Sequence, residues 1–142
     1  MGMTRAEITL KNVRDDAYAQ CGHIKEEEIR TATVTAVVDT GAMSLVITEE
    51  LREKLGLAVK REKIAKTANG QRITCQVTES VEILWKNRYM AMPALVVPGA
   101  EDILLGAIAL EGMDLMVNPV TQELVGIHGD NEEFIIYSFS HR

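Results

Sequence analysis

The residues whose types and spacing best suit chemistry lie in AVVDTGAMSLVI, Ala36 to Ile47. Ala36, Val37 and Val38 run directly into the carboxylate of Asp39. A carboxylate at the mouth of an apolar strand costs free energy unless it is hydrogen-bonded or put to use. Either a turn is built there, with the acid capping backbone amides, or a reactive group is being held. Thr40 adds a hydroxyl that both donates and accepts. Gly41 allows dihedrals and a close approach that a Cβ would block, and Ala42 is small enough to leave room beside it.

Other chemistry-bearing residues are scattered. Cys21-Gly22-His23 offers two ligand types, but His128 and His141 are the only further histidines, and a structural metal needs three or four ligands within reach. Cys75 lies in a strand pattern and reads as a small core residue. The chain has no Gly-x-Ser-x-Gly elbow and no Gly-rich phosphate loop. No metal and no cofactor is expected.

The elements that would position Asp39 form a mostly β chain. Its 142 residues fit one domain with a single core. Residues 6–12, AEITLKN, alternate as a strand does, and VRDDAYAQCGHIKEEEI reads as a loop or wide hairpin connection. RTATVTAVVD is rich in Thr and Val, outward at Arg30 and buried by Val37. Thr48 is placed to cap a short helix, EELREKLGL, with Glu49 and Glu50 in its first turn and Gly56 ending it. Asn69-Gly70 between two alternating runs signals a hairpin, and a second turn falls near Lys86-Asn87 before the strand RYMAMPALVV. Ile103–Leu105 is an apolar strand, followed by Gly106, a helical turn and a strand at Leu115–Val117. Asn118-Pro119 turns into QELVGI, and EFIIYSF reads as a last strand. An apolar strand, a Gly-containing bend and a short helix recur at Val37–Leu55 and Ile103–Gly112. Met90, Met92, Met113 and Met116 read as core filler.

Twenty-one acidic against fifteen basic residues give a net charge of −6, which argues against nucleic acid or an anionic membrane as partner. The N-terminus lacks the apolar stretch of a signal peptide, and no apolar run reaches the roughly 18 residues of a membrane helix. Two distant cysteines suggest no disulfide framework, so a cytoplasmic location is expected. KEEE and GDNEE read as solvated loop charges.

VVDTGA at Val37–Ala42, then ILLG at Ile103–Gly106 with an Asn-Gly hairpin between them, resembles the retropepsin-like aspartic proteases. The helix EELREKLGL and the tail MDLMVNPVTQEL are similar to the bacterial and archaeal single-domain members. The resemblance spans roughly residues 30–125. It implies a closed β-barrel of the acid-protease fold with one or two short helices, a single domain over 1–142 with its core at about 6–128, and a dimer. A C-terminal strand at 133–140 would lie at the dimer interface.

In the chemistry the resemblance implies, two carboxylates about 3 Å apart cannot both ionise, so one keeps a proton while its partner acts as general base on a shared water. This chain has one such acid, because Asp102 and Asp114 lack the Thr and Gly that follow Asp39. A homodimer pairing Asp39 with its symmetry mate follows, hydrolysing peptide bonds in a peptide or protein substrate. Thr40 and Gly41 would support the site, with Thr40 bonding across to the second subunit. Gly41, Ala42, Ala68, Asn69 and Gly70 would bind substrate, the last three at the tip of a flap. Leu105 and Gly106 would form the second loop element. Two features depart from the retroviral pattern: the flap has a single Gly, and Ala107 stands where many retroviral members have Arg. The same residues also allow another reading, a catalytically silent dimer of this fold that binds extended peptides or a partner protein.

Overall fold

The structure, a computed structural model, describes residues 3–129. In chain order the elements are β1 (Arg5–Asn12), α1 (Val13–Gln20), a 3-10 turn at Glu26–Glu28, β2 (Thr31–Val38), β3 (Leu45–Ile47), α2 (Glu49–Leu55) and β4 (Val59–Lys66). Then come β5 (Arg72–Trp85), β6 (Arg88–Val96), β7 (Ile103–Leu105), α3 (Ala107–Gly112), β8 (Leu115–Val117) and β9 (Leu124–Gly126). The strand expected over 133–140, with its interfacial role, lies outside the described residues.

Six strands close into a barrel in the order β1-β2-β7-β3-β6-β5, and β5 returns to pair with β1. The closure depends on the 14-residue length of β5. Its first half pairs with β4, its second half with β1, and β6 lies along its other edge. A closed ring leaves these six strands without a free edge, so β4 is a flange outside the barrel. Alternation drives the packing: in β1, Ala6, Ile8, Leu10 and Asn12 point inward. Ile8, Leu10, Leu45, Ile47, Leu55, Leu57, Ile83 and Leu105 are the largest fully buried apolar side chains. Pro93, which cannot donate to a ladder, sits opposite Ser80 where the β5–β6 register slips. The hydroxyl of Thr78 accepts from the Ala94 N–H across that slip, at 3.0 Å.

Most elements follow the sequence reading. Thr48 caps α2 by accepting from the Leu51 N–H, and Gly56 ends it in the left-handed region at φ +64°. The hairpin signal at Asn69-Gly70 also holds, with a longer loop than a two-residue turn. The Thr67 N–H donates to Gln71, the Gly70 N–H donates to Thr67, and Gly70 is left-handed at φ +85°. This is the arrangement of a three-residue hairpin loop. Cys75 is fully buried, and burial pushes its thiol up. Among the methionines Met92 and Met113 are buried and Met90 packs on the core, but Met116 is 41% exposed. It points outward from β8 between inward Leu115 and half-buried Val117.

Residues 13–29 do make a wide connection between the antiparallel strands β1 and β2, but they hold α1 and the 3-10 turn rather than a plain loop. Asn12 caps α1 by accepting from the Asp15 N–H at 2.9 Å, with Asp15 and Asp16 in the first turn. The helix buries little apolar surface, so no 3.6-residue stripe announces it. Ion pairs dock it instead. Asp15 takes Arg30 on both oxygens (2.8 and 2.9 Å), and Arg14 takes both oxygens of Glu79 (3.0 and 2.9 Å). The Arg30 side chain lies where a Cβ on Gly56 would be, tying α1 to the end of α2.

These clamps carry a pH signature. The hydrogen bonds from Arg30 hold the Asp15 carboxyl below its ordinary range, and those from Arg14 do the same for Glu79. A carboxyl lowered in the folded state stabilises it above the ordinary carboxylate value of about 4, and that share is lost as pH falls through and below it. The thermal midpoint, followed by circular dichroism, should therefore hold above about pH 5 and fall below about pH 4. Asp15→Asn should flatten the fall; a midpoint that rises on acidification would contradict the assignment.

Candidate active site

Asp39 directly follows β2, and the chain from Ala36 to Ile47 makes a wide bend whose arms are β2 and β3. Strand β7 is threaded between those arms. It runs parallel to β2, with Val37 opposite Leu104 and Val38 opposite Leu105, and antiparallel to β3, with Val46 opposite Leu104. The two sequence elements singled out above are thus joined. The Asp39 N–H donates to Leu105 O at 3.0 Å, the Ala107 N–H to Ala42 O at 2.8 Å, and the Ile108 N–H to Met43 O at 3.2 Å. Three backbone hydrogen bonds fix the loop from both sides.

Gly106 makes that crossing possible. A Cβ there would lie 2.5 Å from Ser44 O and 2.7 Å from Ala42 O, both main-chain atoms. Gly41 matters for closeness rather than for its dihedrals, since it is not in the left-handed region. A Cβ at this position would lie 3.2 Å from Asp39 Oδ1.

The Asp39 carboxylate is half-buried, and its Oδ1 accepts from the Gly41 N–H at 2.9 Å. Its other oxygen has no hydrogen-bond partner among the described residues. The capping role weighed from sequence is therefore real, but it occupies only one oxygen. Thr40 is exposed, and its hydroxyl has no partner among the described residues. Ala42 is half-buried, and its carbonyl is taken up by the second element. Leu105 and Gly106 are buried.

Ala68, Asn69 and Gly70 are placed apart from this loop, at the exposed tip of the β4–β5 hairpin. The tip is stiffened from within. The Gln71 N–H donates to the Thr67 hydroxyl at 3.1 Å, and that hydroxyl bonds closely to the Asn69 side chain. Asp102 is exposed at the entry to β7. Asp114 belongs to a different cluster, with Arg88 at 3.2 Å and His128 Nδ1 at 2.7 Å. Burial pushes the Asp114 carboxyl up, but the bonds from His128 and Arg88 outweigh this and hold it below the usual range. No group of metal-ligating side chains gathers among the described residues.

Sequence reasoning missed the flank of the loop. Met43 and Ile108, joined through the backbone, are 66% and 42% exposed beside Asp39. With Ser44, Ile108 borders a pocket beneath the hairpin whose other walls include Lys63, Met92 and Leu95. The signal was present in part. Leu45–Ile47 is a β3 strand hidden in the apolar run after the tetrapeptide, and reading it would have exposed the bend between two strands.

A mostly β closed barrel, in which an acid-bearing bend is pinned by a second apolar-Gly element, defines the class of the aspartic proteases. The model of the family described as aspartyl protease matches residues 26–109, more than half of the chain, and the chain belongs to that family. Among solved structures it is similar to EIAV protease complexed with the inhibitor HBY-793, at 23% identity and a TM-score of 0.47, over 56% of this chain and 75% of that one. No curated protein matches it. Among the described residues no helix is long and apolar enough to cross a membrane.

Proposed function

We propose that the protein is an aspartic endopeptidase whose active unit is a symmetric homodimer, with Asp39 of each subunit at the two-fold axis. The observation that carries this reading is the half-satisfied Asp39 carboxylate on a loop fixed by Leu105 and Gly106. Gly41 holds one oxygen still, leaving the other for a water and the symmetry-related acid. Brought about 3 Å apart, two such groups share one proton and titrate as a pair. The ionised member takes a proton from water as it attacks the scissile carbonyl, and the protonated member hydrogen-bonds the carbonyl oxygen. No cofactor enters these steps.

In this reading Thr40, exposed and without a side-chain partner among the described residues, bonds across to the other subunit. Gly41 and Ala42 border the substrate, and the hairpin tip at Ala68, Asn69 and Gly70 closes over it as a flap that excludes water. The substrate is an extended peptide added as a strand, its backbone giving affinity and alternate side chains entering pockets. The whole chain forms one domain. The free cysteines, Cys21 exposed and Cys75 buried, support a reducing cytoplasmic setting.

The test is a peptide-library cleavage assay from acid to neutral pH, with and without a pepstatin-type inhibitor, beside light scattering on the same sample. Inhibitable cleavage by a species of twice the chain's mass is expected. A monomer at micromolar concentration, or a dimer that binds library peptides and cleaves none of them, would remove the peptidase reading.

A further inference from the structure

The hairpin beside the candidate site separates its charges by face. Lys60 is the extra residue of a bulge: Val59 pairs with Thr78 and Arg61 with Val77, leaving Lys60 between them. Because a bulge interrupts alternation, Lys60, Arg61 and Lys63 all line one groove. Glu62 lines a different groove, with Thr74, Gln76 and Glu101. In a chain of net charge −6, three cations gathered on one side of one strand are a marked local reversal. The carboxylate lining their groove is that of Glu79, already held by Arg14 on both oxygens and by the Ala58 N–H at 2.7 Å. Arg61 and Lys63 have no ion-pair partner among the described residues.

The cationic groove continues into the apolar pocket under the hairpin, the two sharing Lys63, Val77 and Pro93. The far wall of that pocket includes Ser44 and Ile108; Ser44 belongs to the pinned bend and Ile108 to α3, which is bonded to it. A Cβ on Gly106 would abut Ser44 O, and Ile108 bonds to Met43. Leading away from Asp39, one surface is thus apolar first and cationic next.

We propose that this sequence of surfaces sets substrate choice. The preferred peptide places an aliphatic side chain in the pocket and an Asp or Glu two residues farther from the scissile bond, against Lys63 and Arg61. The inference rests on the peptidase reading for where the peptide lies. In an extended chain, residues two apart share a face and are separated by roughly 7 Å, so both contacts fall to one side of the substrate. Desolvated only in part, the ion pairs contribute selectivity more than bulk affinity.

The test compares three peptides identical except at the outer position, which carries Glu, Gln or Lys. Each is measured twice: by kcat/KM with the unmodified protein and by fluorescence anisotropy with Asp39→Asn, which reads binding without cleavage. Glu should be favoured over Gln by roughly fivefold in both, the size of an exposed ion pair, and the preference should shrink in high salt. Lys63→Gln should erase most of the Glu-over-Gln ratio, and Lys63→Glu should turn the order towards Lys. Equal treatment of the three peptides, or a ratio unmoved by both variants, overturns the proposal. If the Asp39→Asn protein binds with the Glu preference while the unmodified protein cleaves nothing, the peptidase reading fails and the charge selection stands.

Discussion

Asp39→Asn should lower kcat by roughly 10²–10⁴-fold, the span that general acid–base groups contribute, while the protein stays folded. The substitution is nearly isosteric, and the amide oxygen of Asn can still accept from the Gly41 N–H as Asp39 Oδ1 does at 2.9 Å. The bend, its three backbone bonds to the second element and the buried strands behind it are therefore untouched. The lost property is ionisation: an amide cannot take a proton from water at any working pH, and two amides cannot share one. The loss should appear in kcat with little change in KM, and the thermal midpoint should move by no more than about a degree, as for a substitution that makes no cavity and orphans no buried group. Cleavage surviving in Asp39→Asn would place the chemistry elsewhere in the chain.

Gly106→Ala should damage both the stability of the fold and the geometry of the candidate site. Its Cβ would sit 2.5 Å from Ser44 O and 2.7 Å from Ala42 O, and neither atom can swing away as a side-chain tip could. Relief requires the bend and the second element to separate, which strains the bonds from Ala107 to Ala42 and from Ile108 to Met43. Overpacking of this kind costs about 1–3 kcal/mol; with those bonds weakened, the upper end is expected. For a chain of this size that amounts to a fall of roughly 10 °C in the thermal midpoint. Because the displaced segment carries Asp39, activity should be lost even below the new midpoint. Gly112→Ala is the contrast. Its Cβ would meet the flexible end of Met90, so the thioether can turn aside and most of the stability should remain. Equal losses in the two variants would refute the account of the crossing.

How far these features could be read from sequence depended on what each segment packs against. Alternation in β1, and the all-apolar end of β2 at Ala36–Val38, express burial directly. The caps at Thr48 and Gly56 are local hydrogen-bonding and steric effects, and so they were readable. Helix α1 was not, because Arg14 and Asp15 dock it by charge to Glu79 and Arg30, residues 65 and 15 positions away. A strand of three residues such as β3 is too short for its period to register, and its place is set by β6 and β7 on either side. Asp39, Leu105 and Gly106 could be linked through the resemblance, whereas their hydrogen bonds required the fold. The basic groove also escaped notice. In sequence KREK looks like mixed surface charge, and only the bulge at Lys60 and the strand's alternation separate Glu62 from its cationic neighbours.

Mixing subunits tests the central claim most directly. Asp39→Asn protein is added to the unmodified protein at equal concentration, subunits are allowed to exchange, and cleavage is measured per unmodified subunit. If two copies must each supply an acid, only about one quarter of the dimers remain competent, and activity per unmodified subunit falls to about half. Activity that follows the amount of unmodified chain alone, with no penalty from its inert companion, would mean that one polypeptide suffices.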